Sequence, residues 1–233
     1  TGDVNPEEVI TLVNQHFADW QPYSEETPNL YIPENVSETQ INFIDLPSAV
    51  QSEIQVTTLI DLKMSHPDYF PLLVANSILG GDFGSYINMN LREEHGYTYG
   101  AFSTFKTDKW TKGSFSIKTK VGNAVTAPAI SEILKEVKRI QTTIVSEEKL
   151  AQAKAQYLGQ FVLATERPQT IANYAINIKV RNLPEDFYKN YIAKINAVTK
   201  EDVQRVANSY FLLKNFRIII VGKGSDIADE LKN

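Results

Sequence analysis

Cysteine is absent from this 233-residue chain. That excludes disulfides, thiol nucleophiles and thiolate metal sites. It assigns no compartment, because cysteine-free chains occur in cytoplasm and periplasm alike. Histidine is scarce: there are three, His16, His66 and His95, and no two lie close together in sequence. A metal-gripping pair at helical spacing is therefore missing. No apolar run approaches the ~20 residues that a membrane-spanning helix needs. Positive charge is not in excess either. The net charge is -5 with both signs interspersed, so there is no basic stripe for a nucleic-acid backbone. No serine sits in a G-x-S-x-G context, and no glycine loop continues into Gly-Lys-Ser/Thr, which removes the usual signs of serine hydrolases and phosphate cradles.

What is present is ordinary for a globular chain: 42% hydrophobic and 22% charged residues. A chain of this length buries roughly 70–75% of its unfolded surface, so it needs no staple to fold. It accommodates one large domain, or one domain with an appendage. The sequence opens on Thr1-Gly2-Asp3 rather than Met and reads as an internal fragment of a longer protein.

The first helix is marked by Asn5 as cap, Pro6 at the first helical position and Glu8 as partner in a capping box. Val9, Leu12, Val13 and Phe17 follow at helical spacing. Three prolines, Pro22, Pro28 and Pro33, then punctuate a polar stretch that reads as a linker over 21–40. A lone helix before a linker suggests that residues 1–20 end a preceding unit and that 41–233 form the main one. Alternation of Ile54, Val56, Thr58 and Ile60 predicts a strand over 51–61. A buried helix over 69–79 ends at Gly80-Gly81. A shorter helix covers 85–94, with Gly96 as a left-handed stop. Strands follow near 97–106 and 113–121.

Beyond that point the pattern is helical. Ile130, Ile133, Leu134, Val137 and Ile140 define one amphipathic helix, and Ser146 caps the next. Pro168 and Pro184 open two more, and Thr199 with Asp202 forms a capping box. A strand over 216–221 and a short helix from about Ser225 close the chain. This ending, a strand, a Gly turn and a helix, echoes the opening, as in a chain built from related modules. The fold class expected is α+β, a mostly antiparallel sheet covered by helices.

The segment Leu91-Arg92-Glu93-Glu94-His95 nearly matches the zinc motif H-x-x-E-H, in which two His on one helix face grip a metal and the Glu activates its water. Leu91 occupies the first ligand position and has no donor atom. The match is therefore read as chance, and no metal ligand is assigned to this chain.

The run Leu79-Gly80-Gly81-Asp82-Phe83-Gly84-Ser85-Tyr86, followed by Leu91-Arg92-Glu93-Glu94-His95-Gly96-Tyr97-Thr98-Tyr99-Gly100, resembles the second-domain signature of the pitrilysin/insulinase family of zinc metallopeptidases. His66-Pro67-Asp68-Tyr69-Phe70 and the opening Gly2-Asp3-Val4 with its helix are similar too. The resemblance implies a module of the LuxS/mitochondrial-processing-peptidase-like kind, paired like a clamshell with a related zinc-bearing module that closes around a peptide. It places the zinc in that upstream module or in a partner subunit, and none here. It implies Arg92 and Tyr99 as catalytic helpers, seven residues apart. A guanidinium and a phenol donate hydrogen bonds to a peptide carbonyl and to the oxyanion formed from it. Gly81, Asp82, Phe83 and Tyr97 are the implied substrate-contacting residues, with Tyr97 competing with Tyr99 from the same strand face.

Three functional readings follow. The chain is the non-zinc half of a two-module peptidase, or an inactive partner or scaffold subunit of the same family, or a free-standing peptide-binding module that adds a peptide strand to its sheet edge.

Overall fold

A computed structural model describes residues 2–21, 29–227 and 231. Residues 22–28 of the predicted linker lie outside the described residues. The first helix, α1 (Pro6–Phe17), begins as its caps dictate, with the Asn5 side chain accepting from the Glu7 N–H. Glu8 meets the Asn5 side-chain amide at 3.5 Å rather than its backbone N–H, so the capping box is not reciprocal. No residue of α1 is buried.

The sheet has five strands: β1 (Gln40–Asp45), β2 (Gln51–Ile60), β3 (Ala101–Lys106), β4 (Gly113–Gly122) and β5 (Arg217–Gly222). Their order is β1-β5-β2-β4-β3. Only β1 and β5 run parallel, with Phe43 beside Ile220. The other pairings are antiparallel. The period of two along each strand puts Ile54, Val56 and Ile60, Phe115, Ile117 and Val121, and Ile218 and Ile220 on one buried face. Each large apolar side chain sunk there contributes about 1.5–3 kcal/mol.

Helices cover that face: α2 (Tyr69–Asn76), α3 (Tyr86–Asn88), α4 (Thr126–Thr142), α5 (Glu147–Thr165), α6 (Pro168–Val180), α7 (Tyr191–Ala197), α8 (Lys200–Tyr210) and α9 (Gly224–Ile227). The α4 helix packs on β2 and β4, and α8 on α2 and α4. The Thr199–Asp202 capping box is complete, and Ser146 caps α5 as predicted. The opposite sheet face carries Glu53, Gln55, Lys118 and Lys120, and Glu53 and Lys120 form an ion pair across the β2–β4 ladder.

Three expectations need correction. Pro184 does not open a helix. Residues 185–190 form turns, and α7 starts at Tyr191. The helix predicted over 69–79 ends as α-helix at Asn76 and widens into a π-helical turn, Ser77–Gly81. The strand predicted over 97–106 starts only at Ala101.

Candidate functional site

The site is built from two widened helical turns, the first pressed against β3 and the second against α4. The first, Ser77–Gly81, lies so close to the strand that a Cβ on Gly80 would stand 2.6 Å from Ser103 Oγ and 2.7 Å from its backbone nitrogen. Glycine is required there to let backbone approach backbone. Asn76 fastens the contact, since its side-chain oxygen accepts from Ser103 Oγ at 2.9 Å. The chain then reverses at Asp82, which accepts from Ser77 Oγ and from the Gly84 N–H. Buried Asn88 donates to the Phe83 carbonyl at 2.7 Å and accepts from the Ala101 N–H at 3.1 Å. One side chain thus pins the loop and the start of β3.

The second widened turn, Met89–Glu94, follows α3 without a break. Leu91 points into the core at 0% exposure. Asn90 donates to Glu132 at 2.8 Å and to Glu136 at 2.9 Å, both on α4. The Asn90 hydrogen bond, helped by Lys135, holds the Glu132 carboxyl below its ordinary range. The turn ends with a hydrogen bond from the His95 N–H to the Asn90 carbonyl, five residues back. Gly96 then takes the left-handed conformation, φ +64°, as the sequence predicts.

The structure brings Arg92 and Tyr99 to the rim of one cavity of about 450 Å³, together with Gln51, Glu93 and Tyr97. The Arg92 side chain is 41% exposed, lies 3.5 Å from Glu93 and stands over the Phe83 ring at 5.5 Å. Phe83 is 62% exposed and meets Phe102 edge to face at 5.3 Å. Tyr99 is 94% exposed. It does not stand on a strand. Thr98 and Gly100 bond to each other, and Thr98 bonds Thr119 at 3.0 Å, which holds this segment as a turn ahead of β3. Tyr97 accordingly shares no strand face with Tyr99. It is half-buried and stacks on His95 with centroids 4.9 Å apart. Gly81 and Asp82 do not line this cavity. Asp82 is spent on the turn, and Gly81 lies against Asn76.

The sequence reading missed the other side of Tyr99. Thr98 and Tyr99 also border a second cavity of about 500 Å³ over the open sheet face, lined by Gln51, Glu53, Gln55, Lys118, Lys120 and Val221. The signal was available, because alternation along β4 places Lys118 and Lys120 opposite Phe115 and Ile117.

Zinc does not fit this module. Leu91 stands where the motif needs its first His and is sealed in the core. Among the described residues no three His, Cys, Asp or Glu side chains are arranged to hold a metal ion. Two buried polar atoms nearby, Asn90 Oδ1 and His95 Nε2, have no hydrogen-bond partner. His95 Nε2 is 3.8 Å from Glu132, beyond hydrogen-bonding reach.

The module is thus a one-sided α+β sandwich with a shaped rim and, among the described residues, no ligand set for a metal. The model of the peptidase M16 inactive domain matches residues 1–157, and the chain belongs to that family. A metalloprotease of Bacillus subtilis (strain 168), YmfF, described as a probable inactive enzyme, is 22% identical over 202 residues, covering 87% of this chain and 46% of the relative. The peptidase M16 inactive domain from Pseudomonas fluorescens superposes with a TM-score of 0.82 at 21% identity, covering 95% of this chain and 52% of that one. A protease from Helicobacter pylori gives 0.81 at 18% identity, covering 94% and 53%. The chain thus spans about half the length of the relatives it matches.

Proposed function

We propose that this chain is the non-catalytic member of a pair of M16 modules and that its open sheet face closes over a peptide held against the other module. The second module lies upstream in the same protein or in a partner subunit, and the zinc belongs to it. The observation that carries this reading is the asymmetry of the sheet. Helices cover one face, while the other is open, bears two adjoining cavities and carries exposed Tyr99 between them. The half-length match to the relatives supports it, as does the description of the Bacillus relative as an inactive metalloprotease.

A finer role follows for Arg92 and Tyr99. Both are presented at one rim, and neither side chain is locked by a buried partner. In this reading they donate hydrogen bonds to the carbonyl groups of the enclosed peptide, and where the paired module is active, to the oxyanion at its zinc. Arg92→Ala and Tyr99→Phe in the intact protein with its partner module test it, with peptide binding followed by fluorescence anisotropy alongside turnover. Binding weakened by about tenfold per variant is expected from lost charged or polar hydrogen bonds. Unchanged binding and turnover in both variants would remove the pair from the site and leave a purely architectural partner.

A further inference from the structure

Between α2, α7 and α8, in the helical layer, lies a separate cavity of about 490 Å³. That volume lies in the range of small-ligand sites, and the cavity shares no lining residue with the two around Tyr99. Buried Phe70 and Phe187, with ring centroids 5.4 Å apart, close its base. Pro67, Pro71 and Pro184 build part of its wall. Proline has no N–H and a fixed φ, so that wall is apolar and stiff.

The charges are unevenly spent. Arg205 donates to Asp68 at 2.6 Å and to Asp202 at 3.1 Å. The other Asp202 oxygen accepts from Thr199. Lys194 is different. Its Nζ stands over the Phe70 and Phe187 rings at 5.2 and 5.5 Å, and no carboxylate pairs with it among the described residues. His66 also lines the cavity, and its Nδ1 accepts the Asp68 N–H at 3.1 Å. The proton of the neutral ring therefore sits on Nε2, which remains a donor. One ammonium without a counter-charge stands over an apolar base, with the His66 ring in the cavity wall.

We propose that this cavity binds a carboxylate carried on an apolar body the size of one large side chain. A free peptide C-terminus ending in a large apolar residue has this chemistry, and so does a free aryl-alkanoic acid. The site is independent of the peptide-facing role above.

N-acetyl-phenylalanine, titrated into the isotopically labelled full chain and followed by amide NMR, is the probe. Signals of residues 64–71 and 194–205 should move. N-acetyl-phenylalaninamide, which lacks the charge, should bind about tenfold more weakly or worse, the cost of one charged hydrogen bond. Lys194→Met should lose a similar factor and Lys194→Arg should keep most of the affinity. Lys194 is exposed, so both variants should fold, and the same spectra report it. A peptide ending in Phe with a free C-terminus, compared with 3-phenylpropanoate, tells the two sources apart by which binds more tightly. Equal affinity for acid and amide, unchanged affinity in Lys194→Met, or movement confined to other residues would overturn the proposal.

Discussion

Leu91→His completes the H-x-x-E-H string on paper, and the structure says that it makes no zinc site. Leu91 is fully buried in the main core cluster. Truncating a buried leucine costs about 2–5 kcal/mol. An imidazole refills part of that volume, but it adds a polar group with no partner, at about 1–3 kcal/mol. The combined loss is about 3–5 kcal/mol, and for a chain of this size that lowers the melting temperature by roughly 10 °C. Zinc should not restore it, because position 91 is sealed in the core and among the described residues no three His, Cys, Asp or Glu side chains are arranged to hold a metal ion. A bound metal at a hundredfold excess over its Kd would return about 2.7 kcal/mol. Urea unfolding of the variant with and without zinc decides the matter. Coincident midpoints are expected, and a zinc-dependent gain of that size would refute the reasoning from the sealed position.

Gly80→Ala should destabilise by about 1–3 kcal/mol in urea unfolding, because its Cβ drives into Ser103 and neither backbone can withdraw without strain. Gly96→Ala meets no atom within 4 Å, so it should cost only the left-handed backbone, about 1–2 kcal/mol, with Gly96→Asn milder. Glu132 is held below its ordinary value of 4.5 by the Asn90 hydrogen bond and by Lys135. A carboxyl depressed on folding stabilises above its unfolded pKa, and that contribution fades as pH falls through the folded value. The stability of the chain should therefore decline as pH drops below about 4.5, and Glu132→Gln should flatten part of that decline in pH-dependent unfolding. Thr199→Ala removes a complete capping box and should cost about 1 kcal/mol.

Local signals carried most of the architecture. The Thr199–Asp202 box, the Ser146 cap and the alternation in β2 each act within a few residues. All of them survive folding. What failed depends on contacts distant in sequence. The parallel strand β1 takes its register from β5, about 177 residues away, and its own sequence barely alternates in burial. The two π-helical turns arise where Gly80 must approach Ser103 and where Leu91 must reach the core, and neither demand is visible in helical periodicity. Pro184 carried a valid helix-opening signal, but residues 185–190 make turns and leave Phe187 packed on Phe70. At the candidate site, the family signature singled out Arg92 and Tyr99, and the structure places them on one rim. Asp82 shows the opposite case. Its position in the signature suggested substrate contact, while its hydrogen bonds assign it to the turn.

The central claim is that this M16 module carries no catalytic zinc of its own. Elemental analysis of the purified chain, equilibrated with zinc and then freed of loosely held metal, tests it most directly. The account predicts far less than one equivalent retained and no chelator-sensitive peptide hydrolysis. One tightly held equivalent of zinc, with hydrolysis lost on chelation, would contradict it.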